Sequence, residues 1–195
     1  MEGITMTQAR NDTRRVGEGV VCLILFGLTI PAANWLIGNA GTVCVANGPC
    51  LIPVAPGLMA PSGVIMIGIA LVLRDLVQRR LGVGVAVGAI VAGAALSALI
   101  APPALVIASA MAFLLSEFAD LAVYTPLARR RLIAAVVASS MIGLVVDSIV
   151  FLWLAFGSLE FLLGQIVGKA WMVLAAIPLV AWLRHRDERL GIAPA

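Results

Sequence analysis

The sequence predicts an all-α integral membrane protein, a bundle of six transmembrane helices forming one domain over residues 1–195. Hydrophobic residues make up 62% of the chain, charged residues only 12%, and the mean hydropathy is +1.10. A membrane-spanning helix needs about 20 apolar residues, and apolar runs of this length alternate with short clusters of arginine. Six such runs use the whole chain and leave no room for a second domain.

The first helix is expected over residues 17–37, after a polar tail at residues 1–16. Residues 38–60 carry no charge and are rich in Gly, Pro and Asn, which predicts an external loop. Cys44 and Cys50 in this loop suit a disulfide in an oxidising compartment, and two free thiols fit the sequence equally well.

The second helix is expected over residues 61–80, and the arginines at its end mark the inner membrane surface. A tight turn leads to the third helix, over residues 82–100. Its Gly84, Gly88 and Ala92 recur every fourth residue, a spacing that lets membrane helices approach closely. This stripe predicts helix packing rather than chemistry.

The last three helices are expected over residues 102–124, 132–156 and 159–183. A proline pair opens the first of them, where the ring is tolerated because the N–H would be unpaired anyway. Three consecutive arginines, Arg129 to Arg131, fill the next connection.

The distribution of basic residues predicts the topology, because Lys and Arg near helix ends stay on the cytoplasmic side. Every connection expected inside is basic, and no outer loop contains Lys or Arg. Both termini should therefore be cytoplasmic in a multi-pass protein of the cell inner membrane. The formal net charge of +3 does not indicate a nucleic-acid partner, because the arginines flank helices and suit anionic lipid headgroups.

Lys169 is the one basic residue placed deep inside a span, where a charge is costly unless it is paired. A helical rise of about 1.5 Å per residue puts Asp147 about 13 Å and Lys169 about 15 Å below the outer ends of consecutive antiparallel helices. At similar depth the two side chains should form an ion pair. The pair either lines a ligand site or only fastens the last two helices together.

The fourth helix carries a polar face formed by Ser109, Ser116 and Asp120, with Glu117 at its edge. Carboxylates facing lipid would be hard to sustain, so this face should look into the bundle. Asp120 lies near the inner surface and could instead pair with the arginines at 129–131.

Polar and aromatic residues of three helices suit a flat, polar heterocycle, with hydrogen bonds at its edge and ring stacking on its faces. The fifth and sixth helices add hydroxyl, carboxylate, amide and ammonium groups, and two phenylalanines lie one turn outside the carboxylates. The predicted substrate-binding residues are Ser109, Phe113, Ser116, Glu117, Ser140, Asp147, Phe151, Gln165 and Lys169.

The same segments resemble the queuosine precursor transporters, also called the vitamin uptake transporter family. The resemblance is carried by Arg74 to Gly82, Ala108 to Phe113, Glu117 to Asp120, Ser139 to Gly143, Asp147 to Phe151 and Gln165 to Lys169. It implies a six-helix bundle like the substrate-binding components of energy-coupling-factor transporters. It also implies uptake of 7-deazaguanine precursors of queuosine, such as 7-cyano-7-deazaguanine.

Residue types typical of that family recur at Asp75, Asp120, Ser140, Asp147 and Lys169. The resemblance therefore implies structural or gating roles for Arg74, Asp75 and Asp120 beside the substrate site. Glu117 stands where glutamine is common, and Leu144 replaces a frequent asparagine. These two departures fit a related purine-like substrate.

Two other function classes compete with a solitary secondary or facilitative importer of a 7-deazapurine. A vitamin- or nucleobase-binding component of an energy-coupling-factor importer would need small residues on its first helix for docking, and no convincing repeat occurs there. An intramembrane enzyme is disfavoured, because the only histidine, His185, lies in the tail and no Gly-x-Ser-x-Gly motif or metal-ligand spacing occurs. No cofactor or metal is expected. The expected partners are a purine-like small molecule and membrane lipid. The sequence does not decide between a monomer and a homo-oligomer.

Overall fold

A computed structural model describes residues 2–45, 48–101 and 105–195 of the chain. Within these ranges six α-helices form a bundle, and a small antiparallel sheet of order β1-β2-β3 joins the first two. The helices are α1 Glu2–Asn39, α2 Val64–Leu81, α3 Val83–Ile100, α4 Val106–Ala128, α5 Leu132–Phe156 and α6 Leu162–Leu190. The strands are β1 Val43–Cys44, β2 Cys50–Ala55 and β3 Leu58–Pro61.

Five helices in the described part of the chain are long and apolar enough to cross a membrane: α1, α3, α4, α5 and α6. The charge of α2 excludes it from this set, because its 18 residues include Arg74, Asp75, Arg79 and Arg80. Yet α2 packs against the other five helices, and most of its charged residues are buried. The chain is thus a multi-pass helical membrane protein, while a sixth span through α2 stays a prediction.

The polar tail expected at residues 1–16 is helical instead, because α1 begins at Glu2. Ion pairs one turn apart support the helix there: Arg14 Nε lies 3.2 Å from Glu18 Oε1, and Arg15 Nη2 lies 3.7 Å from Asp12 Oδ1. The helix therefore continues past the apolar run from which the boundary was predicted.

The external loop expected at residues 38–60 is largely the three-stranded sheet. β-branched and apolar residues of β2 pair with β3, and a Cys44–Cys50 disulfide joins β1 to β2. The indole N–H of Trp171 donates to the Val54 carbonyl at 3.1 Å, which fastens the sheet to α6. This segment is therefore a folded cover over one end of the bundle.

Helix ends also differ from the predicted ranges. The proline pair Pro102-Pro103, expected to open the fourth helix, lies outside the described residues, and α4 begins at Val106. α6 continues to Leu190 and ends at Gly191, whose φ of 66° is in the left-handed region that glycine favours. The predicted end at residue 183 lies at the end of the apolar run, but the helix continues through the polar residues 184–189.

The glycine stripe of the third helix does not make the predicted packing contacts. A Cβ built at Gly84 or Gly88 would meet no atom within 4 Å in the described structure. The close approach is at Gly93, where a Cβ would lie 2.8 Å from Phe113 Cζ. Gly93 faces the core formed by α1, α3 and α4. The close contact between α3 and α4 therefore depends on this buried glycine and not on Gly84 or Gly88.

Candidate functional site

A cavity of about 70 Å³ lies at the end of the bundle opposite the arginine-rich helix ends. Residues of all six helices line it, mainly apolar ones, with a few convergent polar groups. Its polar lining consists of Asn34, Ser97, Ser109, Asp147, Gln165 and Lys169, and its aromatic lining consists of Phe113 and Phe151.

An ion pair between Asp147 of α5 and Lys169 of α6 forms one wall of this cavity. Lys169 Nζ donates to Asp147 Oδ2 at 2.5 Å, to Gln165 Oε1 at 2.7 Å and to Ser148 Oγ at 2.8 Å. All three ammonium hydrogens thus have acceptors. The pair predicted from helix depth is confirmed, and both of its residues line the cavity.

Two glycines bring α2 and α6 close enough to bury Lys169. A Cβ at Gly68 would lie 2.8 Å from the Lys169 carbonyl oxygen, and a Cβ at Gly168 would lie 2.8 Å from Val64 Cγ2. Lys169 is consequently only 1% exposed. Close backbone approach at small residues is a common way for membrane helices to pack.

A second group of buried charges, the Arg74 cluster, consists of Arg74, Asp75, Glu117 and Asp120. Arg74 Nε donates to Glu117 Oε2 at 3.0 Å, Nη1 lies 2.9 Å from Asp75 Oδ1, and Nη2 pairs with Asp120 Oδ1. The Arg74 guanidinium also lies over the Tyr124 ring, 5.7 Å from its centroid. All four cluster side chains are at most 2% exposed.

The Arg74 cluster corrects two expectations for the fourth helix. Asp120 pairs with Arg74 rather than with the exposed arginines at 129–131. Glu117, expected to contact a ligand, is instead bound to Arg74 and does not line the cavity. Arg74 was expected at the inner membrane surface, with a structural or gating role, and its ion pairs with two carboxylates of α4 were not predicted.

Two of the predicted serines also lie away from the cavity lining. Ser116 donates to the Phe113 carbonyl at 3.0 Å, and Ser140 is fully buried on α5. The other six predicted residues meet at the cavity: Ser109, Phe113, Asp147, Phe151, Gln165 and Lys169.

Sequence reasoning missed Ser148, Asn34 and Ser97 as members of the site. Ser148 directly follows Asp147, so its position beside the predicted partner of Lys169 was the signal for it. Asn34 and Ser97 are isolated polar residues in apolar runs, and only the tertiary arrangement brings them to the cavity. In the described residues no group of three or more His, Cys, Asp or Glu side chains could hold a metal ion.

The comparisons with known proteins agree with a transport function. Residues 95–183 match the family described as "Putative vitamin uptake transporter". This stretch contains α4, α5 and most of α6, and with them Glu117, Asp120, Asp147 and Lys169. No curated protein and no solved structure matches the chain. The match and the apolar helices point to a membrane transporter rather than an enzyme.

Proposed function

We propose that the chain imports a guanine-like 7-deazapurine, 7-cyano-7-deazaguanine or a close relative, across the cell inner membrane. It would act as a solitary secondary or facilitative transporter. The family match supports the transport class, and the chemistry of the cavity supports the substrate. The observation that carries the substrate assignment is the Asp147–Lys169 pair in a wall that also holds Gln165.

This wall offers hydrogen-bonding groups complementary to the edge of a guanine. Asp147 binds Lys169 through Oδ2, so Oδ1 is left to accept from the ring N–H and the exocyclic amine of a ligand. The side-chain oxygen of Gln165 accepts from Lys169, so its amide NH₂ is left to donate to the ligand carbonyl. A base is typically recognised by such edge contacts together with aromatic stacking, here from Phe113 and Phe151.

The ligand must enter by opening the cavity. Its volume of about 70 Å³ is well below the roughly 300–1,000 Å³ of pockets that enclose drug-sized ligands. The lining residues of α1 and α4 approach the pair from across the cavity, and the sheet covers the same end. Separation of these elements from α5 and α6 would admit a flat bicyclic molecule between the two phenylalanines.

The test is a thermal-shift screen of the purified protein against purines, 7-deazapurines and water-soluble vitamins. We expect 7-cyano-7-deazaguanine to stabilise the protein and adenine to have little effect, because adenine lacks the carbonyl and ring N–H of the guanine edge. Gln165→Leu should abolish the ligand shift. Gln78→Leu is the matched control, since Gln78 is also buried but contacts Arg74 and Thr125 away from the cavity.

Uptake into liposomes containing only this chain then separates a solitary importer from a binding component that needs an ATPase. Accumulation or exchange of the labelled 7-deazapurine without any partner supports the proposal. Stabilisation by a vitamin and not by any 7-deazapurine would refute the substrate. Binding without movement in the liposomes would refute the solitary mechanism.

The proposal places both termini in the cytoplasm. In a variant whose native cysteines are replaced, Pro56→Cys in the exposed β2–β3 turn should react with an impermeant thiol reagent added outside intact cells. Arg130→Cys in the exposed α4–α5 connection should react only after the cells are opened. The reverse labelling pattern would contradict this orientation.

A further inference from the structure

We propose that the Arg74 cluster is a proton-binding site, with Asp120 as the proton carrier, that couples import to the transmembrane proton gradient. The coupling rests on the proposed transport function, whereas the bound proton can be tested without any substrate. Nothing in the family description concerns a coupling ion.

The charges of the cluster do not balance without protons. One guanidinium faces three carboxylates, all of them at most 2% exposed, so full ionisation would leave two uncompensated negative charges. The other buried basic side chains do not compensate them, because Lys169 is bound to Asp147 and Arg80 to Asp187. Buried carboxylates that lack a partner take up a proton rather than stay charged.

The hydrogen bonds indicate which carboxylate holds the proton. Asp75 Oδ2 accepts from Ser139 Oγ at 3.2 Å and Glu117 Oε2 accepts from Arg74 Nε, both of which favour ionised acids. Asp120 Oδ2 is buried and has no hydrogen bond among the described residues, whereas Oδ1 is the oxygen nearest to Arg74. A proton on Oδ2 would turn an unsatisfied acceptor into a donor and would leave one excess negative charge in the cluster instead of two.

An unpartnered hydroxyl lies on the helix face that Asp120 Oδ2 approaches. A Cβ built at Gly143 of α5 would lie 3.2 Å from this oxygen, so the absence of a side chain there makes room for it. Ser140, one turn earlier on the same face, is fully buried, and its Oγ has no hydrogen-bond partner in the described structure. Asp147 lies one turn beyond Gly143, so this face of α5 connects the cluster with the cavity.

The groups around Asp120 are few. Its own helix contributes Glu117 and Tyr124, α2 contributes Arg74 and Asp75, α5 contributes Ser139, Ser140 and Asp147, and α3 has no charged residue. Arg74 is therefore the only cation that the described structure places against Asp120.

Protonation of Asp120 weakens its contact with Arg74 and so allows α4 to move. A proton arriving from the cavity side forms an O–H bond at Oδ2 and removes the charge of the carboxylate. The contact of Oδ1 with Arg74, which is present in the structure, is then a hydrogen bond to a neutral acid and weaker than an ion pair. α4 can then separate from α2, and loss of the proton to the cytoplasmic side restores the pair. Each cycle carries one proton inward with the substrate and leaves the protein unchanged.

Infrared spectroscopy of the purified, substrate-free protein tests the site directly. A protonated buried carboxylic acid has a carbonyl band separate from the carboxylate bands and shifted in deuterated water. We expect this band at neutral pH in the wild type and in Glu160→Gln, which removes an exposed carboxylate. Asp120→Asn should lose it. If that variant does not fold, Asp120→Glu should move the band. Absence of the band in the wild type, or its full retention in Asp120→Asn, would overturn the assignment.

Liposome assays with 7-cyano-7-deazaguanine test the coupling. An inward proton gradient should drive accumulation by the wild type and by Glu160→Gln. Asp120→Asn should still exchange labelled for unlabelled substrate across the membrane but should not accumulate it above the external concentration. Accumulation by Asp120→Asn equal to that of the wild type would overturn the coupling. If the wild type does not bind the probe, the proposed function fails, and the infrared band still decides whether Asp120 holds a proton.

Discussion

Breaking the Asp147–Lys169 pair one residue at a time should cost more than removing both residues together. Asp147→Asn leaves the Lys169 ammonium with neutral acceptors only: Ser148 and Gln165, at 2.8 and 2.7 Å, and the amide oxygen of the new side chain. Lys169→Met leaves a carboxylate on the cavity wall without a cation in the described structure. Each single variant therefore contains an uncompensated buried charge, whereas the double variant contains none.

The burial of the pair sets the magnitude. The side chains of Lys169 and Asp147 are 1% and 9% exposed, and removal of one partner of a buried pair typically lowers the free energy of unfolding by about 3–5 kcal/mol. Asp147→Asn should fall near the lower value, because neutral acceptors still hold the ammonium. The double variant should lose less than either single variant, because no uncompensated charge remains in it. The coupling energy of the cycle must then be at least as large as the loss in one single variant, about 3 kcal/mol or more. It would keep a smaller loss, since Gln165 and Ser148 no longer have their donor.

Melting temperatures of the four proteins in one detergent, treated as a double-mutant cycle, provide the measurement. For a chain of this length, a loss of 1 kcal/mol lowers the melting temperature by about 2–4 °C. The single variants should thus melt on the order of 10 °C lower, and the double variant between them and the wild type. Uptake should stay low in all three. Strictly additive losses would refute the interaction, and restored uptake in the double variant would show that the pair is only structural.

Two further predictions concern packing and the inner end of the bundle. Gly143→Ala should destabilise the protein by about 1–3 kcal/mol through overpacking, because its Cβ would lie 2.9 Å from Leu71 Cδ2. Gly88→Ala is the control and should not destabilise the protein, because its Cβ would meet no atom within 4 Å in the described structure. Equal melting temperatures of the two variants would contradict the packing of α5. Arg80→Gln should lower the melting temperature clearly, because Arg80 is 2% exposed and binds Asp187 through both Nη atoms at 2.8 and 3.0 Å. Arg184→Gln, which removes an exposed pair worth about 0.3–0.5 kcal/mol, is its control. A comparable loss in both variants would contradict the stabilising role of the Arg80–Asp187 pair.

Hydrophobic runs predict the positions of most of the helices, because a span must be apolar over its whole length. α5 extends from Leu132 to Phe156, the range that the apolar run marks. The same criterion fails at the polar ends of α1 and α6, where ion pairs and a capping glycine set the boundary. It also fails for the segment before α2, since short strands with a disulfide have no long-range periodicity to detect.

For the candidate site, the depth of a residue along its helix could be predicted from the sequence, but the rotation of the helix about its axis could not. Depth brings Asp147 to the level of Lys169, and the structure pairs them. The side of α4 that faces the cavity depends on its packing against α2, which one sequence does not specify. Glu117 was therefore predicted to contact the ligand, whereas in the structure it forms an ion pair with Arg74. Arg74 was predicted to have a structural or gating role, but its ion pairs with α4 were not predicted, because it belongs to the same arginine cluster as Arg79 and Arg80.

The burial of these arginines changes what the charge distribution implies about topology. Arg74 and Arg80 are at most 2% exposed and hold carboxylates inside the bundle, so they serve the fold whatever their effect on insertion. The connection between α4 and α5 is different, because Arg129, Arg130 and Arg131 are all exposed and have no ion pair among the described residues. These three arginines, like the exposed Arg10 and Arg189, are free to meet anionic headgroups. The cytoplasmic assignment therefore rests mainly on them, and with it the direction in which the cavity would open.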